Sequence, residues 1–256
     1  MKNVLLGSTG FQVSQVGLGT VKFGRNQGVK YPQGFLLPSD HEIEALLNHA
    51  QELGVNVLDT APAYGSSEER LGQLLKAKRQ QWILCTKVGE EFEKGVSRFD
   101  FSPEAIQQSV ERSLKRLHTD VLDIVLVHSN GEDEKLINEY QVFETLRDLK
   151  QRGLIRAFGM SIKSEAGGKL AVDQADVVMV TYNPACTEEK AVIEYAHAKQ
   201  KGVLIKKALA SGHLNELATQ NPVETAMKFI FQEPGVHSVI LGTLNKAHLQ
   251  QVVDAV

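Results

Sequence analysis

Eight times along the chain, a short run rich in β-branched residues gives way to a stretch with apolar residues at helical spacing. The runs fall near residues 16–21, 56–60, 82–88, 121–128, 157–162, 177–182, 203–209 and 238–242. Amphipathic stripes follow them, as in Ile43, Leu46, Leu47 and Ala50, or Ile106, Val110, Leu114 and Leu117. Runs such as 121–127 and 177–180 are apolar almost throughout, the pattern of parallel strands covered by helices. An open, doubly wound sheet would also satisfy it. Eight consecutive units in 256 residues, without a linker or low-complexity tract, favour closure into a (β/α)8 TIM barrel, an α/β fold with one domain over 1–256. Ahead of the first unit, residues 4–6 and 11–13 flank Gly7-Ser8-Thr9-Gly10 and predict a β-hairpin that closes the base of the barrel.

Local signals mark the helix ends. Ser39-Asp40-His41-Glu42 and Ser66-Ser67-Glu68-Glu69 predict capping boxes, while Ser102-Pro103 and Asn221-Pro222 predict a cap before an N1 proline. Gly54, Gly153 and Gly202 follow helical stretches and are expected to be left-handed closing residues. Residues 22–38, between the first strand and first helix, are expected to be irregular and to sit over the mouth of the barrel.

Charge and cysteine usage narrow the partners. A formal net charge of −3 gives no broad basic surface for nucleic-acid phosphates or an anionic membrane, so a small molecule is the expected partner. The two cysteines, Cys85 and Cys186, are too few for a disulfide framework and lack metal-ligand spacing, which points to a reducing compartment. The N-terminal apolar stretch is too short for a signal peptide, and no window reaches membrane-spanning length. The expected location is the cytoplasm. No pattern in the chain specifies an oligomeric state.

In such a barrel the reactive groups belong at the C-terminal ends of the strands. Strand two ends in Asp59 and runs on to Tyr64; strand three ends in Lys87 and strand four in His128. Alternation puts Ile83, Cys85 and Lys87 on one face, and Ile124, Leu126 and His128 on one face of the next strand. If those faces point inward, Lys87 and His128 crown an apolar interior beside Asp59. A lysine near a tyrosine hydroxyl favours the phenolate, a neighbouring carboxylate keeps that lysine charged and oriented, and a histidine can position a carbonyl oxygen. Taken singly, Asp59 reads equally as a structural carboxylate, Lys87 as a strand-end lysine, His128 as a core histidine and Tyr64 as a loop aromatic.

The wording Leu58-Asp59-Thr60-Ala61-Pro62-Ala63-Tyr64-Gly65, followed by Glu69 and Leu71-Gly72, resembles the aldo-keto reductase signature. The resemblance extends to Gly17-Leu18-Gly19-Thr20, Thr86-Lys87-Val88 and Gly159-Met160-Ser161. It implies an NADPH-dependent enzyme, with NADH also possible, that reduces a small carbonyl substrate without a metal. It further implies a tetrad of Asp59, Tyr64, Lys87 and His128, with Tyr64 as proton donor. By the same resemblance the cofactor would be met by Gly19, Thr20, Asp59, Ser161, Lys206, Leu209, Gly242, Thr243, Asn245, His248 and Gln251, with Lys246 also near a 2′-phosphate. Several words depart from the family pattern: Ile162 and Met179 stand where Asn and Gln are common, Lys206 or Lys207 where an aromatic stacks, and His248 where many relatives carry arginine. The chain ends at Val256 soon after its last helix, so substrate contacts are expected from Phe23, Arg25, Lys30, Tyr31 and Phe35. Two other readings stay open: a lyase working through a Schiff base on Lys87 or Lys206, and a non-catalytic nucleotide-binding sensor or partner module.

Overall fold

The computed structural model describes residues 1–29, 34–210 and 220–256. It opens with a hairpin of β1 (Asn3–Leu5) and β2 (Gln12–Ser14), its turn closed by the Leu6 N–H donating to the Phe11 carbonyl at 2.9 Å. Gly7 takes φ 51° there and abuts the backbone at Gly202, where a Cβ would come within 2.5 Å. Only glycine meets both demands.

The units then follow in order. First come β3 (Val16–Gly19), α1 (Val21–Gly24) and α2 (Asp40–Glu52), then β4 (Val57–Asp59), a 3₁₀ turn (Pro62–Tyr64) and α3 (Ser67–Leu74). β5 (Ile83–Val88) leads into a hairpin of β6 (Glu90–Glu93) and β7 (Val96–Phe99) before α4 (Pro103–Arg116). β8 (Leu122–His128), α5 (Asp133–Asn138) and α6 (Val142–Gln151) precede β9 (Ile155–Ser161) and α7 (Glu165–Gln174). The circuit ends with β10 (Val177–Thr181), α8 (Lys190–Ala198), β11 (Gly202–Lys206), α9 (Pro222–Phe231), β12 (Ser238–Leu241) and α10 (Lys246–Asp254).

Eight parallel strands close in the order β3-β4-β5-β8-β9-β10-β11-β12, the last returning to β3 through Val239–Val16, Ile240–Gly17 and Leu241–Leu18. Strand alternation sorts the apolar residues into two layers. Val57, Cys85, Ile124, Leu126, Ala157, Val177, Met179 and Leu204 fill the interior, sealed from below by Leu6, Phe11 and Val13 of the N-terminal segment. Their strand neighbours, among them Leu58, Leu84, Val125, Val178 and Val203, pack outward against Leu46, Ile106, Leu146 and Ile193 on the helices. The barrel, its basal hairpin and the inward direction of the Lys87 and His128 faces therefore agree with the pattern read from the chain. At Gly159 the strands crowd: a Cβ would lie 1.7 Å from the Val177 carbonyl oxygen.

Several local expectations are corrected. Ser39 forms the full box with Glu42, and the Ser102 hydroxyl accepts from the Ala105 N–H at 3.3 Å. Ser66 caps nothing, because its φ of −83° and ψ of 10° do not aim the hydroxyl back at the first turn. Asn221 likewise makes no cap; its amide donates instead to Glu224. Gly54 and Gly153 are left-handed as expected, but the residue that turns the chain after α8 is Gln200, with φ 55°. Gly202 begins β11, and its missing side chain makes room for Leu6, which a Cβ would approach to 2.7 Å. The expected irregular segment at 22–38 begins instead as helix α1, whose Phe23 is fully buried in the outer core. The first strand ends at Gly19 and the seventh at Lys206, short of the expected 21 and 209.

Candidate active site

Three adjacent strands each deliver one polar group to the mouth. Asp59 ends β4, Lys87 is the penultimate residue of β5, and His128 ends β8. The register staggers them: Asp59 pairs with Cys85, two residues before Lys87, and Lys87 pairs with Leu126, two residues before His128. Tyr64 arrives from the 3₁₀ turn after β4, which Gly65 terminates with φ 61°. A Cβ at Gly65 would lie 2.1 Å from the Gly24 carbonyl oxygen, so glycine here lets the Tyr64 turn dock on α1.

Lys87 is 2% exposed, and its Nζ donates to Asp59 Oδ1 at 2.6 Å and to the Thr60 carbonyl at 2.8 Å. Burial by itself would lower the pKa of this ammonium. The Asp59 carboxylate, with support from Tyr64, outweighs burial and holds the ammonium charged well above the ordinary lysine range. Lys87 Nζ lies 4.8 Å from the Tyr64 ring centroid, and that ring meets His128 edge-on at 6.3 Å between centroids. The four residues named from the sequence thus form one connected cluster.

The chain also contributes a group that the sequence reading passed over. Glu90 begins the β6–β7 hairpin, and its Oε2 lies 2.7 Å from His128 Nδ1. The approach is oblique, so Nδ1 has no well-aligned hydrogen bond among the described residues and the contact is mainly electrostatic. Ser97 donates to Glu90 Oε1 at 2.6 Å, and Arg25 Nη1 stands 3.9 Å from it. Burial would raise the Glu90 pKa, but His128, Ser97 and Arg25 reverse this and bring it to about 2. Burial also lowers the His128 pKa, with Glu90 opposing. The only sequence signal for Glu90 was its position just past a strand end; its partners come from distant segments.

The remaining named residues fall into three groups. Ser161 ends β9 in register with His128, and its hydroxyl accepts from Lys206 Nζ at 3.0 Å; Lys206 donates also to the Ile162 carbonyl. Met179 is an interior apolar residue below them. Gly19 lies beside Gly242, a Cβ on it reaching 3.6 Å from the Gly242 nitrogen. Thr243 is buried and accepts from the Asn245 N–H at 3.0 Å; Asn245 Oδ1 caps α10 through the Ala247 N–H at 2.8 Å; His248 and Gln251 are exposed on that helix. Two others are engaged within the protein. Thr20 is fully buried, its hydroxyl bonded to the Asp59 carbonyl and to Ser67, and Leu209 packs against the outer core.

Of the expected substrate contacts, Phe23 is a core residue, while Arg25 lies over the Phe92 ring at 3.5 Å and donates to the Ala63 carbonyl. Phe35 is half-buried, with Lys22 Nζ 5.3 Å from its ring centroid. Lys30 and Tyr31 lie outside the described residues.

Comparison with known proteins agrees with the barrel fold. The model of the aldo/keto reductase family matches residues 15–223. The chain is 31% identical to L-galactose dehydrogenase of Arabidopsis thaliana, over 86% of this chain and 68% of that protein. It is 28% identical to the NADH-specific methylglyoxal reductase of Escherichia coli, over 80% of this chain and 69% of the other. Among solved structures, PA4992 of Pseudomonas aeruginosa, described as an aldo-keto reductase, superposes with a TM-score of 0.90 at 50% identity, covering 99% of this chain and 93% of that one.

Proposed function

The chain belongs to the aldo/keto reductase family and is an NAD(P)H-dependent oxidoreductase; from that premise we propose that it reduces a small aldehyde or ketone to the alcohol, with Tyr64 as proton donor. The observation that supports this most directly is the buried Lys87–Asp59 contact of 2.6 Å beside the Tyr64 ring. When Tyr64 gives its proton to the carbonyl oxygen it becomes a phenolate, and the Lys87 ammonium stabilises that charge in a site of low polarity. Asp59 and the Thr60 carbonyl hold Nζ in place. With Nδ1 of His128 turned to Glu90, Nε2 is the nitrogen that meets the substrate oxygen and sets its approach to Tyr64.

The nicotinamide, when bound, supplies the hydride to the carbonyl carbon. Ser161 and Lys206, beside His128, would offer polar contacts to its carboxamide end, and Gly19 and Met179 would add apolar surface. At the other end, the first turn of α10 carries no acid, and Lys246 and His248 are exposed on it, a donor set suited to an anionic group at the positive end of a helix. Gly242, Thr243, Asn245 and Gln251 line that approach. Because two of the first N–H groups of α10 already bond Asn245, the Lys246 ammonium is the main attraction for a 2′-phosphate, with the His248 ring as a neighbouring hydrogen-bond donor. NADPH is the cofactor favoured on that ground, with NADH as a second donor.

The test is a titration with each nucleotide followed by steady-state reduction of a panel of sugar aldehydes and ketoaldehydes. Tyr64→Phe should keep nucleotide affinity and lose on the order of 10² to 10⁴ in kcat, the usual contribution of a positioned acid. Equal rates for the two proteins would remove Tyr64 from the mechanism.

A further inference from the structure

Two lysines point into the mouth of this barrel, and their surroundings differ in one respect. Lys87 is clamped by a carboxylate at 2.6 Å and fully enclosed. Lys206 extends from the end of β11 on the same face as interior Leu204, is partly exposed, and has no carboxylate within ion-pair distance among the described residues. Among the described residues its Nζ donates to two neutral acceptors, Ser161 Oγ and the Ile162 carbonyl.

The charged groups facing Lys206 come from several elements and do not compensate it. Glu189 and Asp133 favour its ammonium, while Lys207 and Lys163 oppose it, and His128 lies close enough to feel its charge. Both carboxylates are engaged elsewhere. Glu189 Oε2 accepts from the Thr181 N–H at 2.6 Å, and Asp133 Oδ2 accepts from the N–H groups of Lys163 and Ser164 at 2.7 and 2.8 Å. Burial therefore dominates and brings the Lys206 pKa down to about 8.

We propose that the Lys206 amine is a carbonyl-capture site, which condenses reversibly with small aldehydes entering the barrel mouth. The neutral amine attacks the carbonyl carbon, and the carbinolamine then loses its oxygen as water to leave an imine. One C=O bond is exchanged for one C=N bond, one water is released, and no oxidant or reductant is consumed. Ser161 Oγ, hydrogen-bonded to the amine, is placed to pass the proton from nitrogen toward the departing oxygen. Lys87 cannot serve this way, because Asp59 keeps its nitrogen protonated. Capture needs no nucleotide, so it stands apart from the reductase reading, and its failure leaves that reading untouched.

At pH 7 a lysine titrating near 8 is about one-tenth neutral, whereas an ordinary one is neutral to roughly three parts in ten thousand. Partial burial offsets part of that advantage. The experiment uses the full chain without nucleotide, treated at pH 7 with glycolaldehyde and cyanoborohydride, which fixes imines as stable alkyl-lysines located by peptide mass mapping. Lys206 should be alkylated at least about tenfold faster than the exposed Lys115, with a rate that levels off above pH 8. Lys206→Arg should abolish the fast phase, and Lys207→Arg should preserve it. Labelling of Lys206 no faster than Lys115, or a fast phase that survives in Lys206→Arg, would overturn the proposal.

Discussion

Glu90→Gln removes one negative charge from the edge of the site with little change in volume. In the native chain this carboxylate lies 2.7 Å from His128 Nδ1, takes a hydrogen bond from Ser97 at 2.6 Å, and has Arg25 at 3.9 Å. Burial disfavours its charge, yet these contacts carry its pKa down to about 2. Against an ordinary glutamate this represents about 3 kcal/mol at face value, and roughly 1–2 kcal/mol once solvent screening is discounted. The coupling is reciprocal, so the same contact supports the imidazolium of His128, which burial otherwise suppresses. Loss of the charge should lower the His128 titration midpoint further, because the Glu90 contact is what opposes burial there. Histidine-selective NMR titration of wild type and variant measures this directly, and the acid-side inflection of kcat should move the same way. Stability gives a second readout. A carboxylate depressed by folding contributes above its ordinary pKa and loses that contribution as the pH falls toward about 2, so the variant should be less stable at pH 7 and approach wild type in acid. A His128 midpoint that stays fixed or rises would refute the reasoning.

Three other perturbations separate the parts of the molecule. Lys87→Met strands a buried carboxylate and should cost about 3–5 kcal/mol in urea unfolding, most of it recovered in Asp59→Asn/Lys87→Met; strictly additive costs would mean the two groups are not coupled. Leu6→Ala opens space in the basal plug and should cost about 2–5 kcal/mol while kcat at saturating substrate holds steady; a fall in kcat would show that the base and mouth communicate. His248→Arg introduces a bidentate phosphate partner on exposed α10 and should tighten NADPH relative to NADH by about tenfold in fluorescence titration; an unchanged ratio would move the 2′-phosphate away from this helix.

The sequence by itself determined the barrel, because both of its periodicities are local. A strand repeat of two and a helix repeat of 3.6 can be counted without knowing what lies opposite. The same counting put Lys87 and His128 each on one face with apolar strand-mates, and closure of the barrel turned those faces inward; the strand-end rule gave Asp59, and the position of Tyr64 followed from the family signature. Tertiary structure decided everything that depends on a partner remote in sequence. Ser66 and Asn221 have the right residue type but the wrong backbone angles or neighbour. Gly202 is a glycine because Leu6 of the basal plug packs against it. The Thr20 hydroxyl bonds Ser67 across 47 positions. Glu90 reads as an ordinary acid in an acidic stretch until the hairpin brings Ser97, Arg25 and His128 to it. The two inward lysines look alike in the chain; only the arrangement of carboxylates around them, fixed by closure of the barrel, holds the Lys87 pKa above the ordinary lysine range while burial brings that of Lys206 down to about 8.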